Sequence, residues 1–407
     1  MDAPFQTVDR SAPVPPVADR LEPYLADLDR PVGEAVGLPS WIYFDPAVFE
    51  AERKTIFSKV WIGIAYESDV AEPGDVATAD YAGWRFIVTR AEDGEVRVFY
   101  NLCRHRGMAV LDGPRHQQRT LSCPWHMWSY DLKGRLIGTP NIGGTGVHTT
   151  PGIERGELGL VPVRTGRWMG VIFVNIDGKA PPLAEYLKPT TDRLRAFDLS
   201  LARESDERFE THFAGNWKLA IEGGVEDYHI PFVHKQLGPS GDFTGEGCDT
   251  YVGIACRRSM DIAAVRYAAT DAPKEGAPLP LFPHFAGGGS AEASVILSTL
   301  PATLVAAVTD HVVVSIFIPE SPERTRVRRR FRFVGDAATD AAHAAARRRM
   351  RDAWAVVTDQ DGPIIERMQL QAPLRDEVGT RPRFSPYWEP AVHHFQKVIA
   401  ARLTEAA

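Results

Sequence analysis

NLCRHRGM (Asn101 to Met108) and CPWHMWSYDLKGRL (Cys123 to Leu136) decide how this chain is read. Together they give Cys103-x-His105, seventeen residues, then Cys123-x2-His126. Two thiolates and two imidazoles in paired loops can hold a metal ion or a metal–sulfur cluster. A one-residue gap puts Cys103 and His105 on the same side of an extended segment, so these ligands need loops rather than a helix. The other cysteines, Cys248 and Cys256, have no histidines beside them and read as ordinary thiols. Four cysteines in 407 residues are too few for a disulfide scaffold.

Two fillings compete for this set. A structural zinc site also uses two Cys and two His, usually with a gap of roughly two to four residues between its cysteines and a helical pair of histidines. Neither feature occurs here. In a Rieske centre two histidines replace two cysteines on one iron of a [2Fe–2S] cluster, and the Cys/His pairs fit that pattern. The two segments resemble the ligand loops of Rieske aromatic-ring-hydroxylating oxygenases. One departure is Met127, where many relatives carry glycine between the histidine and the tryptophan.

A Rieske centre alone would make an electron carrier, and that remains the alternative function. The second half of the chain points further. NWKLAIEGGVEDYHIPFVH (Asn216 to His234) carries His229 and His234 with four residues between them. Two histidines and a carboxylate with open positions form the facial triad of non-haem Fe(II) oxygenases. Residues five apart on a regular helix lie about 140° apart, so these histidines cannot share a face without a break. Pro231 lies between them and disfavours the α region at Ile230, which predicts a helix end or kink near His229. Glu226, three residues before His229, would share its face. Taken alone, H-x4-H is a weak signal. About a hundred residues after the first motif, with NWK in front, it resembles the catalytic motif of the same oxygenases.

The resemblance also implies the third ligand and the partners. The family's D-x4-E-x2-Q pattern is matched at Asp361, Glu366 and Gln369, making Asp361 the implied carboxylate and Asp359 its competitor. An acidic residue three positions before the first histidine links the two metal centres across subunits. Here that is Glu226, with Asp227 as the adjacent candidate. Asn216 either bonds near the iron or caps a helix. The resemblance implies a terminal oxygenase with a Rieske [2Fe–2S] cluster and mononuclear Fe(II), with O2 as cosubstrate. It also implies a head-to-tail homotrimer with intersubunit electron transfer. No G-x-G-x-x-G opens a βαβ unit and no plant-type ferredoxin spacing occurs, so NAD(P)H would be used by a partner reductase, directly or through a ferredoxin. An aromatic acid or a quaternary ammonium compound is the implied substrate. Phe282, Phe285 and Trp354 are the candidate pocket aromatics.

The pattern around these motifs predicts an α+β chain in two parts after an N-terminal arm (1–40). Residues 41–180 read as an all-β Rieske domain with a preceding helix over Asp45 to Trp61, capped by Asp45 with Pro46 at its first turn. GWRFIVTR and EVRVFYNL flank a Glu92-Asp93-Gly94 turn as a hairpin, and WMGVIFVNI (Trp168 to Ile176) reads as a buried strand. Residues 181–407 mix strands and long helices, as in a helix-grip catalytic domain with helices on an antiparallel sheet. Strands are expected at Arg208 to His212, Ser294 to Leu300, His311 to Pro319 and Arg324 to Val334. Helices are expected at Leu183 to Phe197, Asn216 to Asp227, Ala337 to Met368 with a break, and Tyr387 to Leu403. The Gly287 to Ser290 run reads as a loop or lid.

Composition sets the outer limits. The chain is 44% hydrophobic and 24% charged, with a formal net charge of -7, which argues against nucleic acid. Arg328 to Arg330 reads as the solvated end of a strand, and Arg347 to Arg349 as one helix face. No apolar run approaches the roughly 20 residues that span a bilayer. The N-terminus lacks a signal-peptide core and its prolines suggest a loose arm, so a cytoplasmic location is expected.

Overall fold

The computed structural model describes residues 15–237, 243–256, 276–286 and 294–405. Among the described residues, nine strands precede residue 180. Six form one antiparallel sheet: β1 (Ile62–Tyr66), β2 (Val76–Tyr81), β3 (Trp84–Arg90), β4 (Val96–Tyr100), β8 (Pro162–Trp168) and β9 (Val171–Asn175), in the order β1-β9-β8-β4-β3-β2. β9 is buried at every position, as its unbroken apolar run demands. The hairpin turn after β3 closes at Arg90↔Val96. β5 (Thr120–Ser122), β6 (Ser129–Asp131) and β7 (Leu136–Gly138) make a separate three-stranded sheet. It has its own small core, which includes Val110, Leu121, Trp128, Tyr130 and Leu136.

The second half contributes a seven-stranded antiparallel sheet among the described residues. Its members are β10 (Ala202–Phe213), β11 (Phe243–Cys248), β12 (Tyr251–Cys256), β13 (Ser294–Thr299), β14 (Thr303–Val308), β15 (His311–Ser321) and β16 (Arg324–Val334). They run in the order β10-β16-β15-β14-β13-β12-β11. β13 and β14 are buried throughout, so both faces of the sheet centre are covered. A 34-residue helix, Ala344–Glu377, packs on β10, and the helix Pro390–Thr404 packs on β11 and β12. The two sheets meet where β15 touches β1 and β2. There Asp69 accepts from Arg328 at 2.7 Å and Arg330 at 3.0 Å, beside the buried Tyr66.

The α+β class and its order of parts are those the motifs imply, and several local expectations change. Within the arm read at 1–40, residues 17–28 are regular and packed. They form a helix that buries Val17, Leu21 and Leu28 and packs on Pro390–Thr404. Asp45 caps the helix Pro46–Glu52 from its side chain, as read, but the helix passes into a π-turn at Arg53–Phe57. The Leu183 to Phe197 helix is split into three short pieces, with Pro189 in the second. β11, β12 and β14 went unread, because TLVAAV and the glycine-containing hairpin show no clean alternation. The Gly287 to Ser290 loop lies outside the described residues.

The arginine run was also misplaced. Arg329 and Arg330 are buried, and alternation along β16 sends Arg328 and Arg330 toward Asp69 while Arg329 faces the other way. Arg347 is likewise buried, donating to the carbonyls of Ala337 and Asp340.

One buried charge pair anchors the helix Trp217–Gly224. The Lys218 ammonium bonds to Glu52, and both side chains are about fully enclosed, at 1% and 0% exposure. The Trp217 indole donates to the same carboxylate at 3.0 Å. Removing one partner of such a pair strands a charge in the interior, at a cost of about 3–5 kcal/mol. Lys218→Met is therefore expected to lower the denaturant midpoint by that equivalent. Adding Glu52→Leu to that variant should restore part of it, both being read by urea unfolding followed by circular dichroism.

Candidate metal centres

The two loops that carry Cys103 and Cys123 are built alike. The Cys103 N–H donates to Met108 O, and the Gly107 N–H donates back to Cys103 O. In the second loop the Cys123 N–H donates to Trp128 O and the Met127 N–H to Cys123 O. The residue four past each cysteine is left-handed, Gly107 at φ +76° and Met127 at φ +58°. That explains why glycine suits the Met127 position, since a side chain there carries a backbone penalty of roughly 1–2 kcal/mol. The methionine side chain points outward and is 53% exposed.

These loops bring all four predicted residues together. Both cysteines are buried and the two thiols interact directly; burial pushes the Cys103 thiol up, while Tyr130 opposes this. The His105 and His126 rings lie 4.7 Å apart, centre to centre. Their Nδ1 atoms are buried with no hydrogen-bond partner among the described residues. Buried polar atoms without partners are rare, and here both orphans belong to the rings paired with the thiols, so the donor set fits a [2Fe–2S] group. His105 stacks on Trp128 at 4.9 Å, and His126 stacks on Trp125. Burial, aided by His126 and Arg106, lowers the His105 pKa and favours the neutral ring that a metal needs. Tyr130, which the sequence reading passed over, sits 3.3 Å from the Cys103 sulfur and accepts from Arg104 N. Its signal was the i,i+2 spacing from Trp128, just before β6, which puts both side chains on one side of an extended segment.

The second group forms at the end of the helix Trp217–Gly224. His229 Nε2 lies 3.2 Å from His234 Nε2, and Asp361 Oδ1 lies 2.9 Å from His234 and 3.8 Å from His229. One ligand atom from each falls within 4.8 Å of the others, a fit for one ion on two imidazoles and a carboxylate. Asp361 projects from the long helix; Asp359 is exposed and stays outside the group.

The local route differs from the one expected. The helix ends at Gly224, after the Gly223-Gly224 pair, five residues before His229. Pro231 does not push Ile230 out of the helical region; it occupies the first turn of a new helix, Ile230–Val233, where its missing N–H costs nothing. The first helix thus ends before His229, and the single turn Ile230–Val233, flanked by His229 and His234, brings the two rings together. Glu226 therefore meets His229 across a turn. Its Oε1 is 2.5 Å from His229 Nδ1, and its other oxygen accepts from the backbone N–H groups of Tyr228 and His229. Burial alone would lower the His229 pKa, but the Glu226 carboxylate raises it on balance. Held this way, Nδ1 keeps the proton and Nε2 faces the other ligands.

His234 is fixed by a residue that sequence reasoning missed. Gln360 Oε1 lies 2.9 Å from His234 Nδ1 and also accepts from Gln236 at 2.7 Å. Asp227 is buried and lines the same cavity as His229. Asn216 is corrected: it caps Trp217–Gly224 through Lys218 N, and its amide donates to Tyr43 O and Pro322 O, so it does not face the metal group.

The triad closes one end of a cavity of about 350 Å3, a size suited to a small molecule. Phe213, Leu304, Phe317, Ile365 and Met368 supply apolar walls. Trp354 lines it as expected, with its indole donating to His311 Nε2 at 2.9 Å. Phe282 and Phe285 do not; they pack on Phe197, at 6.1 and 5.1 Å between ring centres. A larger, more open groove lies on the first sheet near Phe99 and Lys133, away from either metal group.

A Cys2His2 cluster site and a two-histidine–carboxylate site on one chain define a Rieske non-haem iron protein. Residues 60–151 match the Rieske [2Fe-2S] domain, and residues 201–405 match the ring hydroxylating alpha subunit (catalytic domain). The chain belongs to this family, the ring-hydroxylating alpha subunits. It is 31% identical over 207 residues to the carnitine monooxygenase oxygenase subunit of Acinetobacter baumannii, covering 50% of this chain and 53% of that protein. It is 34% identical over 208 residues to the 2-aminobenzenesulfonate 2,3-dioxygenase subunit alpha of an Alcaligenes species, covering 49% and 51%. These alignments thus span about half the length of the curated relatives. The fold is shared with a crystallised quaternary ammonium Rieske monooxygenase, with a TM-score of 0.73 and 22% identity over 94% of this chain and 98% of that one. No described helix is long and apolar enough to cross a membrane.

Replacing Gln360 tests how His234 is held. Gln360→Ala is expected to weaken Fe(II) retention about 10- to 100-fold while the cluster absorption is unchanged. Iron content after graded chelator dialysis measures it.

Proposed function

We propose that this chain is a terminal oxygenase component, using O2 and electrons from a separate reductase to hydroxylate a small organic substrate. The observation that carries this is the pairing on one chain of a cluster site with a metal triad that opens onto an apolar cavity. The first part, residues 41–180, takes the electron; the second, 181–407, holds the substrate. When bound, the cluster supplies single electrons and the mononuclear iron supplies the oxygen chemistry.

The chain's own residues account for the rest. His229, His234 and Asp361 would hold the iron beside the cavity, and Gln360 and Glu226 fix the ring tautomers. The apolar walls keep water from the reacting carbon. With Nδ1 turned inward on His105 and His126, each ring has only Nε2 left to present outward. A second copy docked head to tail, in a ring of three, would place such an Nε2 against Glu226, which retains lone pairs beyond its own contacts. Exposed apolar side chains flank both ends of that contact: Met108, Trp125 and Met127 beside the cluster, and Tyr228 and Phe232 beside His229. Such patches on a soluble surface mark association sites. A reductase, or a ferredoxin relaying electrons from NAD(P)H, delivers them to the cluster face. The substrate is an aromatic acid or a quaternary ammonium compound.

Anaerobic iron and sulfide analysis with visible absorption and EPR tests the reading. About three irons and two acid-labile sulfides per chain are expected, with a Rieske signal appearing on dithionite reduction. Zinc without sulfide would overturn it. In the same preparation Glu226→Gln should keep both metals and the trimer yet lose turnover by at least about 100-fold, as measured by product formation with a surrogate reductase.

A further inference from the structure

The three consecutive arginines of β16 are not equivalent. Arg328 and Arg330 find carboxylates: Asp69 for both, Glu210 for the first and Glu204 for the second. Arg329 faces the cavity and finds none within ion-pair distance among the described residues. Its Nε donates to the Ser315 hydroxyl at 3.1 Å and one terminal nitrogen to the Thr358 hydroxyl at 2.5 Å. The other terminal nitrogen has no hydrogen bond among the described residues. Only 8% of Arg329 is exposed, and burial pushes its guanidinium down to about 10.

The guanidinium also lies over the Phe209 and Phe317 rings, at 5.1 and 5.9 Å, and feels the Asp361 charge. Yet an unbonded terminal nitrogen on a largely buried guanidinium is costly unless something completes it. Arg329 is the one arginine or lysine among the described residues that line the cavity. The carboxylates that share the cavity are already engaged. Asp361 sits with the two histidines and Glu226 with His229; Glu222 binds Tyr43 and Gln396, Glu389 accepts from Ser385 N, and the buried Asp227 is also partnered. The position is also suited to a substrate. Thr358, which holds Arg329, lies three residues before Asp361 on the long helix, hence on the same face and about 5 Å along its axis.

We propose that Arg329 anchors an anionic group of the substrate, a carboxylate or sulfonate on a compact apolar body, so that the body lies against the His229–His234–Asp361 end. This rests on the oxygenase reading and narrows its substrate class. A planar fork with a free edge suits an oxyanion, and the Ser315 and Thr358 hydroxyls orient it. Phe213, Phe317 and Trp354 then enclose the body. A purely cationic ligand would meet a buried like charge.

The test is calorimetric titration of the iron-loaded protein with four probes of matched size: benzoate, benzenesulfonate, benzamide and benzyltrimethylammonium. At least one anion is expected to bind about 10- to 100-fold tighter than neutral benzamide. Which anion binds tighter distinguishes a carboxylate site from a sulfonate site. Arg329→Gln should abolish that preference and leave benzamide binding as it was; Arg329→Lys should keep part of it. Equal binding of benzamide and both anions, tighter binding of the ammonium probe, no saturable anion binding, or a preference that survives in Arg329→Gln would each overturn the proposal. If the glutamine variant does not fold, the wild-type ratio still decides. These are binding measurements without turnover, so a failure of the oxygenase reading would show separately, in the metal and reductase assays.

Discussion

A hydrogen-bonded knot at Asn216 holds together the segments that bear the iron ligands. Asn216 N donates to Gln369 Oε1 at 2.8 Å, and its side chain donates to Tyr43 O, which also accepts from Gln369 Nε2. Asn216 caps the short helix that leads toward the histidines, and Asp361 precedes Gln369 by two turns on the long one. Their convergence to within 4.8 Å therefore depends on how these two helices are registered. Every polar group in the knot is buried, so a slip of one helix would leave amides unpaired, at about 1–3 kcal/mol each. The knot sets the metal geometry without touching the metal.

The same reasoning separates what could be read in the sequence from what could not. Cys103, His105, Cys123 and His126 were legible because loop ligands lie close along the chain. His229 and His234 were legible for a similar reason, although a helix end or kink was expected near His229, whereas the helix ends at Gly224 and a separate turn of helix joins the two. Asp361 needed a family pattern, since more than a hundred residues separate it from the histidines. Gln360 stands next to it and was invisible, because nothing local says which side of a 34-residue helix faces His234. Asn216 carried two readings, and only the register of the helices chose the cap.

Charge was the least legible property. Composition treats Arg328, Arg329 and Arg330 as one basic run, and a basic run usually means solvent. Strand alternation splits it into two residues that bind the domains together and one that enters the cavity. Nothing in three identical letters announces this; it follows from the covering of both faces of β16. Aromatic residues misled in the opposite direction. Phe282 and Phe285 looked like pocket walls and serve as core around Phe197, while Phe213 and Phe317 from the sheet line the cavity.

The two metal groups stand in contrasting surroundings, and the contrast suits the division of labour. The cluster loops lie at the surface, with Trp125 and Met127 each about half exposed, and the three-stranded sheet supporting them has a core separate from the rest. An electron can cross a protein boundary, so its acceptor gains from exposure to a donor. The triad borders a partly open cavity with apolar walls, where a substrate can be held in position. Glu226 lies between these regimes, 13% exposed at the rim. There, in the proposed trimer, its carboxylate would meet a neighbouring copy while it holds His229 Nδ1.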